Sequence, residues 1–282
     1  MLGGTATATA AQLTLAPSSG VVGDTAAVSG STGVFQARAQ VVPAPSTEIW
    51  KPSPTTTWQI QLTGPVDQTI AAQMYDIDGF DSAAGVVSSL RGKGSRGVCY
   101  FSAGSYENWR PDAAQFPAAM LGKSNGWAGE RWLDIRRLDL LAPIMRARMD
   151  MCKAKGFDAV EPDNVDGYTN GTGFPLSAAD QLAYNRFLAD AAHARGLAVG
   201  LKNNLDQVRV LAGRFDFAVV EQCFEFDECD ALAPFLRRRK PVFNVEYRGS
   251  RASFCPRANR LGINVLRKRL DLQAPAWRCP SR

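Results

Sequence analysis

The feature that most constrains this chain is an alternation that begins at Trp58 and runs nearly to its end. Short apolar runs are each followed by an amphipathic stretch of helical length. The runs cover 58–62, 74–77, 97–102, 132–135, 157–161, 197–202, 217–221 and 241–246, and helices are predicted over 82–93, 138–155, 177–195, 205–213 and 229–239. Strands alternating with helices pair in parallel, because each helix carries the chain back across the sheet. Eight such strands predict closure into an α/β fold of the (β/α)8 TIM-barrel type, as a single domain. A further apolar run, 263–266, reads as either an extra strand or part of the closing segment. A doubly wound open sheet is the competing architecture, but no Gly-rich phosphate loop follows the first strand, which counts against a nucleotide-binding version.

The second constraint is how the strands finish. Apolar residues give way to Asp76-Ile77-Asp78, Ser102-Ala103-Gly104-Ser105, Asp134, Glu161-Pro162-Asp163-Asn164, Lys202-Asn203-Asn204, Glu221-Gln222 and Asn244-Val245-Glu246. In a parallel barrel the carboxyl ends of the strands share one mouth and carry the chemistry. Burying an unpaired carboxylate costs free energy, so stability alone does not select so many at one level. Two carboxylates flanking a bond are the minimum equipment for glycoside hydrolysis. Period-two alternation puts Glu161 and Asp163 on one strand face, with Asp163 nearer the mouth, and Val219 and Glu221 likewise share a face. Asp163 and Glu221 are therefore expected to meet across the barrel top, with Glu161 deeper and paired with Lys202. Trp109, Trp127, Tyr106, Tyr168, Phe224 and Tyr247 fall in loops or strand ends on the same side, and sugar ring faces pack on such side chains.

Composition narrows the alternatives. The formal net charge is +5, but much of the excess sits late in the chain, in Arg237-Arg238-Arg239-Lys240 and the arginines and lysine that follow. A basic body with an acidic mouth fits this distribution, and no aromatic-basic repeat supports a nucleic-acid partner. The lone histidine, His193, lies inside a helical stretch, so Ser-His-Asp hydrolysis has little to work with. Six cysteines without a CxxC pair argue against a zinc cluster and for disulfides in an oxidising compartment. Order along the chain suggests Cys99–Cys152, Cys223–Cys229 and Cys255–Cys279. The Asp76/Asp78 pair could in principle hold a divalent cation, but the site is expected to need no metal and no cofactor. Residues 1–56, poor in charge and ending in a Pro/Ser/Thr run, read as a low-complexity, flexible leader ahead of a barrel over 57–282. No stretch has the ~18 apolar residues of a membrane span. The composition of the leader and the even cysteine count point to a secreted or extracellular protein, with a monomer as the default expectation.

Several motifs, taken together and in order, closely resemble glycoside hydrolase family 114. They are Trp58-Gln59-Ile60-Gln61-Leu62, Tyr75-Asp76-Ile77-Asp78, Cys99-Tyr100-Phe101-Ser102-Ala103-Gly104-Ser105, and the run from Gly129 through Arg136. Gly156 through Asp166, Gly200-Leu201-Lys202-Asn203, Glu221-Gln222-Cys223-Phe224 and Val245-Glu246-Tyr247 continue the match. The family comprises the endo-α-1,4-polygalactosaminidases and their relatives. The resemblance implies a (β/α)8 barrel and endo-cleavage of α-1,4-linked galactosamine polysaccharide. It also implies a catalytic pair of Asp163 and Glu221, leaning to Asp163 as nucleophile and Glu221 as acid/base, with the roles open to exchange. Asp76, Asp78, Tyr100, Glu161 and Asn164 are expected to contact substrate, as are Asp166, Lys202, Asn203, Glu246 and Tyr247. De-N-acetylated galactosamine is cationic near neutral pH, which suits an acidic mouth. A non-catalytic carbohydrate-binding barrel, or a barrel hydrolase for another α-linked sugar, stands as the alternative.

Overall fold

The computed structural model describes residues 48–279, so residues 1–47 of the expected leader lie outside them. In chain order the elements are β1 (Trp58–Gln61), β2 (Met74–Asp78), α1 (Ala84–Gly92), β3 (Arg96–Ser102), β4 (Ser105–Glu107), β5 (Leu121–Ser124) and β6 (Glu130–Leu133). Then follow α2 (Leu138–Ala154), β7 (Ala159–Asp163), α3 (Ala178–His193), β8 (Ala198–Lys202), α4 (Val208–Leu211) and β9 (Phe217–Glu221). The chain closes with α5 (Ala233–Arg237), β10 (Val242–Glu246), α6 (Arg251–Leu261), β11 (Asn264–Arg267) and β12 (Trp277–Arg278). Eight strands pair in parallel in the order β1-β2-β3-β7-β8-β9-β10-β11, and β12 adds antiparallel to β11. The architecture is the expected TIM barrel.

One strand assignment is corrected. The run 132–135 does not enter the barrel: β6 lies in a separate antiparallel sheet of order β4-β6-β5, inserted between β3 and α2. The eighth barrel strand is instead β11, from the run 263–266 that sequence left undecided. Short alternating runs have the same pattern in either sheet, and only the partner strand tells them apart.

Alternation along each strand divides its residues between two layers. One face packs on the helices, as with Ile77, Val160, Leu201 and Val220 against Leu141, Met145, Leu188 and Leu211. The other face fills the barrel with Trp58, Ile60, Met74, Val98, Ala159, Phe217, Val219, Phe243 and Leu266. The Phe243 ring lies 5.1 Å from that of Trp58 and 5.9 Å from that of Phe217, forming an aromatic floor. Gly200 makes room for it, since a Cβ there would sit 2.4 Å from the Phe217 ring. Truncating Phe243 to alanine would cost about 3–5 kcal/mol as a core cavity. Two residues further along the inward faces the filling turns polar, at Asp76, Tyr100, Glu161 and Lys202, so the floor ends where the site begins.

The seam between β1 and the opposite edge is joined by the segment after β11 rather than by a strand ladder. The Leu62 amide donates to the Leu272 carbonyl at 3.1 Å. Arg278 donates to the carbonyls of Ala71 (2.7 Å) and Trp58 (3.0 Å), and Gln59 Nε2 to that of Ala274 (2.7 Å). All six cysteines are paired, as Cys99–Cys152, Cys223–Cys229 and Cys255–Cys279, which is the expected connectivity. The first ties β3 to α2, the second staples the loop after β9, and the third holds α6 to the seam. Among the described residues no helix is long and apolar enough to cross a membrane.

Candidate active site

Asp163 ends β7 and Glu221 ends β9, and one buried ammonium joins them. Lys202 Nζ, at the end of the intervening β8, lies 3.1 Å from Asp163 Oδ1, 3.4 Å from Glu221 Oε2 and 3.8 Å from Glu161 Oε1. Its side chain is 8% exposed, against 17% for Asp163 and 28% for Glu221. Burial pushes the Lys202 pKa down, but the three carboxylates outweigh it and hold the ammonium charged well above its usual range. Asp163 also accepts from the Asn164 amide (2.7 Å) and the Tyr100 hydroxyl (3.0 Å). Burial pushes its carboxyl up, yet Lys202 and these donors hold it below the usual carboxylate range. Glu221 is fixed differently: the Tyr247 hydroxyl donates to its Oε1, and its backbone amide donates to Asn203 Oδ1 at 3.0 Å.

Beneath this pair lie Asp76 and Glu161, both fully buried. Burial pushes Asp76 well above the carboxylate range, and the Glu161 charge adds to the effect. Burial also pushes Glu161 up, to about 7, against the opposing pull of Lys202. The two therefore ionise with difficulty together, and together with Lys202 they form a carboxyl–ammonium layer under Asp163 and Glu221.

Two of the expected contact residues are spent on the scaffold. Asp78 accepts from Arg110 at 3.0 and 2.6 Å and from the amides of Phe80 and Asp81 (both 2.9 Å), which also leaves it poorly placed for a cation. Arg110 pairs with Glu107 (2.8 Å), and Arg148, on α2, pairs with Asp112 (2.7 Å). The two guanidiniums stack over the Phe80 ring at 4.9 and 5.0 Å, clamping the small sheet to the barrel. Glu246 accepts from Asn244 Nδ2 (2.8 Å) and the Phe224 amide (2.9 Å), so it holds the loop after β9. Asn164, with φ 60°, donates to Ser102 Oγ (2.9 Å) and Ser105 Oγ (3.2 Å). Gly104 permits this approach, since a Cβ there would lie 1.7 Å from the Asn164 carbonyl oxygen.

Of the aromatic side chains, Tyr247 touches Glu221, and Trp109 and Trp127 stand 51% and 59% exposed. Phe224 instead packs on Phe254, ring centres 6.2 Å apart. Asp166 is half-buried, and burial followed by the Asp163 charge raises its carboxyl to about 6. It lines a cavity of about 390 Å³ beside Glu221 together with Asn204, Asp206, Phe226 and Glu228, none of which stood among the expected site residues. The Asn203-Asn204 dipeptide was the available signal, because asparagine tolerates the left-handed backbone both adopt, at φ 45° and 50°.

Two carboxylates at one mouth, one held ionised and one more exposed, can attack an acetal carbon and exchange a proton with its leaving oxygen. Comparison with known proteins agrees with this chemistry. The profile of glycoside hydrolase family GH114 matches residues 39–282. The crystal structure of Ega3 from Aspergillus fumigatus, in complex with galactosamine, is 38% identical, covers 83% of this chain and 99% of its own, and superposes with a TM-score of 0.79. The glycoside hydrolase domain of PelA from Pseudomonas aeruginosa is 14% identical, covers 80% of this chain and 98% of its own, with a TM-score of 0.61, and shares the fold. No curated protein sequence matches the chain significantly. A family match over most of the chain and a close structural relative lead to one identification: this chain is a glycoside hydrolase of family GH114.

Proposed function

We propose that the chain is a secreted, endo-acting hydrolase of α-1,4-linked, galactosamine-containing polysaccharide, working as a monomer. Asp163 is the nucleophile and Glu221 the general acid/base. The observation that carries this reading is the shared Lys202 ammonium, at 3.1 Å from Asp163 and 3.4 Å from Glu221. A nucleophile must be ionised at working pH, and Asp163 is the member whose environment favours the charged form. With Asp163 as nucleophile the reaction runs in two displacements and retains the anomeric configuration.

In the first step Asp163 attacks the anomeric carbon while Glu221 gives its proton to the departing glycosidic oxygen, leaving a glycosyl ester on Asp163. In the second, Glu221 takes a proton from water, whose oxygen displaces Asp163 and restores both side chains. The galactosamine bound to Ega3 supports an amino-sugar substrate here. Asp166, half-buried beside the pair, adds negative charge that favours a cationic polymer. Three disulfides support an oxidising, extracytoplasmic location.

The test is release of reducing ends from partly deacetylated α-1,4-galactosaminan by wild type, Asp163→Asn and Glu221→Gln. Wild type should cleave, Asp163→Asn should be inactive, and Glu221→Gln should lose about 10²–10⁴-fold in kcat. Full activity in either folded variant would overturn the assignment.

A further inference from the structure

The small antiparallel sheet carries two tryptophans that neither the core nor the two-carboxylate mechanism uses. Trp109 follows β4 and Trp127 sits in the turn between β5 and β6, and they stand 51% and 59% exposed. Leaving so large a ring in water forgoes the burial that ordinarily fixes it. Exposed apolar side chains scattered singly are common, but these two are neighbours. A Cβ on Gly129 would lie 2.9 Å from the Trp109 ring, so that ring rests against backbone two residues from Trp127.

Both rings stand on pinned backbone. The Trp127 amide donates to Asn125 Oδ1 at 3.1 Å, and its carbonyl accepts from the Glu130 amide at 3.2 Å. The Asn108 amide donates to the Gly129 carbonyl at 3.1 Å, and the buried Arg110 guanidinium lies 5.8 Å from the Trp109 ring centre. Neither indole N–H has an acceptor among the described residues. The sheet is inserted after β3, at the carboxyl ends of the barrel strands, so the turn stands at the mouth. Hydrogen bonds tie it to the neighbour of the nucleophile. Asn125 Nδ2 and Ser105 Oγ both donate to Glu130 Oε2, at 2.6 and 2.8 Å, and Asn164 Nδ2 donates to Ser105 Oγ at 3.2 Å. Trp109 is four residues from Ser105, so its backbone lies within about 14 Å of that contact. Because β3 adjoins β7 on the side away from β9, the rings lie beyond Asp163 and away from Glu221.

We propose that Trp109 and Trp127 form a stacking platform for units of the polysaccharide beyond the sugar that reacts, on the Asp163 side of the mouth. The inference rests on the hydrolase reading above. Pyranose faces pack on indole rings, and the unpaired indole N–H groups are donors for sugar hydroxyls. The pyranose face is common to free-amine and N-acetylated units, so the platform reads chain length rather than charge. Holding a chain away from the bond that breaks is what cleavage inside a polymer requires. Contacts made far from the reacting bond are equally strong before and in the transition state, so they lower KM for long chains and leave the chemical step alone.

The test compares long deacetylated α-1,4-galactosaminan with its tetramer as substrates. Wild type should prefer the polymer in kcat/KM. The double variant Trp109→Ala/Trp127→Ala should lose about tenfold of that preference, equivalent to about 1.4 kcal/mol, with the loss in KM. Trp109→Phe/Trp127→Phe keeps a ring at each position and should retain most of it. An equal polymer preference in wild type and the alanine variant would overturn the proposal. So would a wild-type dimer in sedimentation equilibrium that the alanine variant loses, because the rings would then cover one another. Binding is read separately in Asp163→Asn, by calorimetric titration with the same polymer, and adding the two alanines should raise Kd about tenfold. Absence of any wild-type cleavage, while Asp163→Asn still binds polymer through the two rings, would sink the hydrolase reading and leave the platform standing.

Discussion

Lys202 is the residue whose loss separates the electrostatic account from a merely steric one. It is surrounded by Asp163, Glu221 and Glu161, and its charge outweighs the burial of Asp163 and opposes that of Glu161. Lys202→Met leaves those carboxylates facing one another without a cation, a loss of about 3–5 kcal/mol for a broken buried pair. Asp163 then loses the main influence holding its pKa down, so its ionised form appears only at higher pH. The acid limb of the kcat/KM profile should move to higher pH in Lys202→Met, measured on deacetylated oligomers. A limb that stays in place while activity falls would show that lysine only shapes the site. The members of this cluster are legible in the sequence because each closes an apolar run at a strand end, and period-two spacing puts Glu161 and Asp163 on one face. Asp78 and Glu246 carry the same local signature, yet Arg110 and Asn244 occupy them. Which side chain folds back on a carboxylate depends on residues such as Arg110, 32 positions away, and no local pattern encodes that.

At the scale of elements, loop length ranks the disulfides. Cys99–Cys152 spans 53 residues between β3 and α2, whereas Cys223–Cys229 spans 6 within one loop. Chain-entropy scaling gives about 4 kcal/mol for the first and about 2.2 kcal/mol for the second. Replacing the first pair by alanines should lower the denaturant midpoint more than replacing the second by serines. The second replacement should instead raise KM, because its loop carries Phe226 and Glu228. An equal stability loss in both would mean that local strain, not chain entropy, sets their contribution. The order of strands and helices was readable along most of the chain. It failed at Trp132 and Leu133, whose alternation is that of a barrel strand, although Ser105–Trp132 pairing places them in the small sheet. It hesitated at β11, which finds its place only because α6 and the 268–279 segment pack around it. Helix ends were less distinct still: the stretch 205–213 resolves into a 3-10 turn, Leu205–Gln207, followed by the short α4.

The whole molecule balances a site that must concentrate negative charge against a fold that must tolerate it. Asp76, Glu161 and Asp166 all keep their protons to higher pH in the folded chain than in the unfolded one. Between the unfolded carboxyl pKa near 4 and the folded values of about 6 for Asp166 and about 7 for Glu161, the unfolded chain has released protons that the folded chain retains. Raising the pH through that window therefore favours unfolding, by up to about 1.4 kcal/mol per pH unit for each proton retained. Asp163 acts with the opposite sign in a lower window: its depressed pKa contributes stability above about pH 4 that is lost as pH falls through its folded value. Urea unfolding at intervals from pH 4 to pH 8 should thus show stability declining across the middle of the range. Asp76→Asn removes one member of the buried pair and gives Glu161 an amide donor in place of a competing acid, so the decline should flatten in that variant. A slope identical to wild type would mean that the proton is held elsewhere and that the layer beneath the active site does not control the pH response of the fold.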